Sequence, residues 1–142
     1  MEVNWGNKIK LLGYDLDSET YQPGDTIYLT LYYQAMEEMD TGYTLFAHIE
    51  GPDNPVTGGK LWGQSDSEPC RRSYPTSAWT PGEIVRDQFT IALDDDAPPG
   101  EYQLRVGFYL LENMVRLPGS DASGLPLPDN AALLRELKVE AE

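Results

Sequence analysis

The sequence predicts an all-β fold, an immunoglobulin-like or fibronectin III-like antiparallel β-sandwich of about seven to eight strands, in one domain spanning residues 1–142. Three observations carry this expectation. Apolar and polar residues alternate at a period of two in several runs, as in half-buried strands. Pro-Gly-acidic triplets stand directly before three of those runs. Eleven Pro and thirteen Gly are spread along the chain with nine Tyr and three Trp, a composition of many turns and aromatic strands.

Strand-like runs follow one another at residues 8–16, 26–34, 43–50, 60–65, 84–93, 101–110 and 133–140, each bounded by turn formers. In the second run Ile27, Leu29, Leu31 and Tyr33 share one face and Tyr28, Thr30 and Tyr32 the other. Val85, Phe89, Ile91 and Leu93 repeat the pattern against Arg86, Gln88 and Thr90, and Tyr102, Leu104, Val106 and Phe108 repeat it against Gln103 and Arg105. Asp87 falls on the inward side of its run, where a carboxylate needs backbone amides or an arginine; it is expected to anchor a loop such as 74–79. The triplets are Pro23-Gly24-Asp25, Pro81-Gly82-Glu83 and Pro99-Gly100-Glu101. Pro presets φ at one turn position and Gly accepts positive φ at the next. The last triplet leads into Tyr102 near the start of a penultimate strand, which resembles a tyrosine corner. The stretches 67–80 and 112–132 are irregular and longer than hairpin loops, a length associated with function or mobility. The runs 8–16 and 133–140 are expected to be sheet edges whose charges, Lys8, Lys10, Glu136, Lys138 and Glu140, discourage pairing between chains, so a monomer is expected.

Charge and cysteine content exclude several function classes. With 24 Asp and Glu against 10 Lys and Arg, the net charge of −14 repels phosphate backbones and anionic lipid. Nucleic acid is therefore not an expected partner. Cys70 is the single cysteine, so there is no intrachain disulfide, zinc ribbon or iron–sulfur site. No apolar run approaches the roughly 20 residues of a spanning helix, and residues 1–5 lack the basic and apolar parts of a signal peptide. A chain soluble on its own, without direct membrane insertion, is expected.

Several runs together carry a resemblance: Lys10-Leu11-Leu12-Gly13-Tyr14-Asp15-Leu16, the first Pro-Gly-Asp turn with its strand, Phe46-Ala47-His48, and Tyr74-Pro75-Thr76-Ser77-Ala78-Trp79-Thr80-Pro81-Gly82-Glu83. They resemble β-sandwich modules at the C-terminal, extracytoplasmic end of large bacterial membrane proteins of the dolichyl-phosphate-mannose mannosyltransferase-like class, notably in Chloroflexi. The resemblance implies a detached accessory domain of the cell envelope. It brings no functional residues with it, and the multi-span catalytic part of such proteins is absent.

Two constellations are candidate sites. Alternating the strands up and down gathers the connections 17–23, 51–59 and 94–99 at one end. Asp15, Asp17, Glu19, Asp53, Asp94, Asp95 and Asp96 would meet there, and Asp15, Asp17, Glu19, Asp94, Asp95 and Asp96 are the candidate calcium ligands, since calcium takes six to eight oxygens. Solvated turn carboxylates are the bland alternative. Trp62, Tyr74 and Trp79, with Tyr28 and Tyr32 on the outer face, are candidates for stacking against sugar rings; the alternative is that both tryptophans pack over the core ends. His48 sits mid-strand with no nucleophile elbow in the sequence, and Cys70 beside Arg71 and Arg72 is a loop thiol. Glu37, Glu38, Asp40 and Asp87 are possible members of a glycosidase pair, without a cleft to frame them. The function expected is a non-catalytic accessory module, a spacer or interaction domain of a larger envelope protein whose partners are other domains of that protein or a glycan. A carbohydrate-binding module with a possible structural calcium is the alternative, and a small hydrolase the third option.

Overall fold

In a computed structural model, which describes residues 2–141, all seven predicted runs are strands, with bounds shifted by at most two residues. In chain order the strands are β1 (Val3–Trp5), β2 (Ile9–Leu16), β3 (Thr20–Tyr21), β4 (Thr26–Ala35), β5 (Thr44–Glu50), β6 (Leu61–Ser67), β7 (Ile84–Ala92), β8 (Gly100–Leu110), β9 (Val115–Arg116), β10 (Gly119–Asp121) and β11 (Ala132–Val139). The four strands not predicted, β1, β3, β9 and β10, have two or three residues each.

Two sheets pack face to face. One has the order β10-β1-β2-β4-β7 and the other β3-β11-β8-β5-β6, with β9 continuing the β8 ladder. Pairing is antiparallel except for the short β11–β3 contact. The predicted alternation is observed: Ile27, Leu29, Leu31 and Tyr33 of β4 and Tyr102, Leu104, Val106 and Phe108 of β8 are all buried in one core.

The acidic residue of the Pro-Gly-acidic unit has a structural task. In Gln22–Asp25 and Thr80–Glu83 the chain turns through a backbone bond from the fourth N–H to the first carbonyl, with Gly24 at φ +84° and Gly82 at φ +86°. The carboxylates of Asp25 and Glu83 then accept the N–H of Gln22 and Thr80. The third triplet differs, because Gly100 is already the first residue of β8. The tyrosine corner is present: the Tyr102 hydroxyl donates to the Pro98 carbonyl at 2.6 Å.

The two irregular stretches close the sides of the sandwich. On one side, β6 and β7 are edge strands of opposite sheets, and the turn through Cys70, Arg71 and Arg72 spans them with three consecutive left-handed residues (φ 58°, 55° and 70°). Asp87 of β7 holds this turn: one oxygen accepts the Cys70 N–H at 2.9 Å and the other the Tyr33 hydroxyl at 2.8 Å. Asp87 does point inward, but the loop it anchors starts at Cys70 and is not 74–79. That neighbouring stretch is braced by Thr76, whose hydroxyl bonds both Tyr43 N–H and the Thr41 carbonyl. On the other side, β9 pairs with β8 of one sheet and β10 with β1 of the other, so the chain crosses between layers at Leu117 and Pro118. Higher on that side, β3 leaves the β2–β4 connection to pair with β11. The expected edges are therefore corrected. β2 lies between β1 and β4, and β11 between β8 and β3, because short flanking strands too small to show a period cover them.

At the lower end, aromatic rings fill the core. Trp5 meets Phe108 edge-on, Phe108 meets Tyr33 edge-on, and Tyr33 stacks on Trp79 with centroids 5.6 Å apart. A smaller apolar cluster of Phe46, Tyr109 and Ala131 lies on the outer face of the second sheet under the 111–131 stretch. Gly107 permits it, since a Cβ there would sit 2.5 Å from the Phe46 ring.

Candidate functional site

The connections after β3, β5 and β7 meet at one end. Gly24 N–H bonds the Asp94 carbonyl, Leu93 N–H the Asp25 carbonyl, and Asp94 N–H the Trp62 carbonyl at 2.7 Å. Between the β5–β6 and β7–β8 connections opens a cavity of about 490 Å³ walled by Trp62, Asn54, Val56, Asp94, Asp96 and Pro98. Trp62 is the extra residue of a bulge, since Ile49 opposes Gly63 while Glu50 opposes Leu61. Bulges re-aim a side chain, and here the indole turns inward with its N–H on the Pro52 carbonyl at 2.8 Å. Trp62 lines the cavity while keeping only 5% of its surface exposed.

Asn54 is buried, with 8% of its surface exposed. Its amide oxygen accepts the N–H of Val56 at 2.9 Å and of Thr57 at 3.4 Å, closing the 52–59 loop on itself. Those donors fix which end is oxygen, so the amide nitrogen is the end left without a protein partner among the described residues. Asp53, Asp94 and Asp96 put three carboxylates around the opening, with no basic side chain in the lining.

The six predicted calcium ligands do not converge. Asp15 accepts the Tyr32 hydroxyl on the outer face, Asp17 takes the Tyr21 hydroxyl and the Tyr28 N–H, and Glu19 pairs with Arg135. Asp95 lies against Gly24, and Asp94 accepts the Asp96 N–H at 3.2 Å. Among the described residues no group of three or more His, Cys, Asp or Glu is disposed to hold a metal ion. Asp15, Asp17, Glu19 and Asp94 each spend an oxygen on a separate partner, so these four carboxylates are turned away from any common centre.

The stacking platform is also corrected. Trp79 is 2% exposed, stacked on Tyr33, with its N–H on the Tyr74 carbonyl. The Tyr74 hydroxyl donates to Glu83, whose carboxyl is held below the usual range by the Thr80 N–H and then by that hydroxyl. These rings close the opposite end of the core from Trp62, so Trp62, Tyr74 and Trp79 share no surface. Tyr28 is exposed and Tyr32 is tied to Asp15.

His48 lies on the outer face beside Phe46, 3.9 Å from Asp66, which in turn accepts the Tyr109 hydroxyl. Burial lowers its pKa, against the pull of Asp66. A second cavity, about 190 Å³, lies at the β6–β7 seam beside Asp87, Glu68 and Arg71. Burial pushes the Asp87 carboxyl above the usual range, opposed by its bonds from Tyr33 and Cys70. Burial likewise raises the Cys70 thiol, whose Sγ faces the Arg86 carbonyl. The neighbouring arginines do not activate it.

Sequence reasoning missed Asn54 and Pro98. Asn54-Pro55 before Gly58-Gly59 is a turn signal, yet nothing in it says that Asn54 lines a cavity.

Among the described residues no helix is long and apolar enough to cross a membrane. No protein-family model matches the chain, and no curated protein matches it. Two solved structures are similar in fold. The C-terminal domain of wzt superposes with a TM-score of 0.66 at 13% identity, covering 99% of this chain and 79% of that one. The alkylpurine DNA glycosylase AlkC of Pseudomonas fluorescens, solved bound to DNA containing an abasic site analogue, gives 0.56 at 12% identity; 96% of this chain covers 31% of that one. At these identities the chain shares a β-sandwich fold with both structures, and the likeness concerns the fold alone.

Proposed function

We propose that the chain is a non-catalytic, immunoglobulin-like accessory module, a spacer or interaction domain of a larger bacterial envelope protein on the extracytoplasmic side. The observation that carries this is the commitment of reactive side chains to the scaffold. Asp87 holds a turn, Trp79 plugs the core, and His48 lies against the Phe46 ring beside the Asp66 carboxylate. The fold also occurs as part of longer chains: the wzt structure is of a C-terminal domain, and the AlkC match takes 31% of that protein. The envelope setting rests on the mannosyltransferase-like resemblance of the quoted runs. Incubation with a panel of nitrophenyl glycosides and esters is the test; the module reading expects no rate above buffer, and a rate lost in Asp87→Asn or His48→Gln would overturn it. Binding to an abasic-site duplex, measured by fluorescence anisotropy, is expected to be absent because of the −14 charge.

A carbohydrate-binding role is the second reading. The loop-end cavity favours it, with an apolar floor at Trp62 and a free amide at Asn54.

A further inference from the structure

We propose that the cavity between the β5–β6 and β7–β8 connections binds a neutral sugar residue, which rests on the accessory-module reading and gives that module a ligand class. Its volume, about 490 Å³, falls within the range of roughly 300–1,000 Å³ usual for small-molecule sites.

The walls are fixed before any ligand arrives. Trp62 is pinned by the Pro52 carbonyl, Asn54 by two backbone N–H groups, Asp94 by the Trp62 carbonyl and Pro98 by the Tyr102 hydroxyl. Such preorganisation removes part of the ordering cost of binding. The apolar floor is Trp62 with Pro98, and Val56, 91% exposed, stands at the mouth.

The polar groups select the ligand. Carboxylates of Asp53, Asp94 and Asp96 accept, and the Asn54 amide nitrogen, left without a protein partner among the described residues, donates. A lysine or arginine side chain offers donors alone and would set them against the Asn54 NH2. A sugar hydroxyl both donates and accepts, and a pyranose has an apolar face for the floor. With no basic side chain in the lining, an acidic sugar or a phosphate would be repelled. A neutral sugar meets all three conditions.

The test is a titration of the full chain, followed by amide NMR shifts, with methyl glycosides of glucose, galactose, mannose and N-acetylglucosamine, with glucuronic acid, and with a tetralysine peptide. At least one neutral glycoside is expected to shift amides confined to residues 53–57, 62 and 94–98, and glucuronic acid to shift them less. Asn54→Asp keeps an oxygen for Val56 and Thr57 but loses the donor. It should weaken binding at least about tenfold, roughly the worth of one hydrogen bond, while the melting temperature falls because a carboxylate joins Asp53, Asp94 and Asp96, and amide shifts outside the site stay those of the parent. Asp96→Asn, at an exposed position, is a second variant expected to weaken binding without touching the fold. The proposal is overturned if no neutral glycoside shifts these amides, if tetralysine alone does so, or if Asn54→Asp binds as tightly as the parent. Failure of binding without any turnover leaves the module reading standing. A sugar that is bound and then hydrolysed keeps the site and removes that reading.

Discussion

Asp87→Ala is expected to destabilise the protein by roughly 3 kcal/mol, mostly through what it leaves behind. The carboxylate is 2% exposed and serves two donors, the hydroxyl of fully buried Tyr33 and the N–H of Cys70. Stranding a buried donor costs about 1–3 kcal/mol. Two stranded donors therefore set the upper bound, and losing a carboxylate that burial disfavours offsets part of it. For a domain of this size each kcal/mol moves the midpoint by about 3 °C, so the drop should be near 10 °C. The turn it anchors contains three left-handed non-glycine residues, each costing about 1 kcal/mol or more. Without its anchor the turn should open, and Cys70 should react faster with a thiol reagent. Thermal melts and labelling rates on parent and variant measure both effects. Asp87→Asn keeps an acceptor for Cys70 and should lose far less. Burial raises the Asp87 pKa above its unfolded value, so the native state binds that proton more tightly. Its contribution to stability therefore grows as pH falls through the folded value toward about 4, and Asp87→Asn removes that slope. An Asp87→Ala variant within about 0.5 kcal/mol of the parent, or one that loses stability while Cys70 stays protected, would refute the reasoning.

Glu83→Gln should lower the melting temperature at neutral pH and leave it nearly unchanged in acid. The folded pKa of Glu83 is depressed, so its contribution is present above the ordinary glutamate value and is lost as pH falls through the folded one; melts at several pH values report it. Tyr102→Phe removes the 2.6 Å bond to Pro98 and should cost about 0.5–1.5 kcal/mol by urea denaturation. Gly107→Ala drives a methyl into the Phe46 ring and the Asn130 carbonyl, an overpacking expected to cost about 1–3 kcal/mol in the same assay. Millimolar calcium should leave the melting temperature unchanged, because the six acidic residues are dispersed; a clear rise would restore a metal site.

Long strands were legible because burial on one face writes a period of two into β4, β7 and β8. The tyrosine corner and the inward Asp87 followed from the same alternation. Short strands were not, since two or three residues hold no period. β1 did carry a signal, Val3 and Trp5 alternating before Gly6-Asn7, both of which take positive φ. The loop end was correctly assembled from strand order, yet its chemistry was misjudged. Composition counts carboxylates and cannot show that Asp15 turns to Tyr32 or Glu19 to Arg135. Likewise a tryptophan beside a loop looks the same in sequence whether a bulge turns it inward, as at Trp62, or leaves it in solvent.

Both long irregular stretches were expected to be mobile or functional, and both instead tie one layer to the other. An open sandwich can relax by shear, its sheets sliding over a layer of apolar side chains that impose little direction. Here that motion is opposed on both flanks: by Asp87 holding the Cys70 turn at the β6–β7 seam, and by the β9–β10 crossover with β3 on the far side. The two layers should then respond to load as one rigid body, and a force applied to one sheet should reach the other without first being taken up by slip between them.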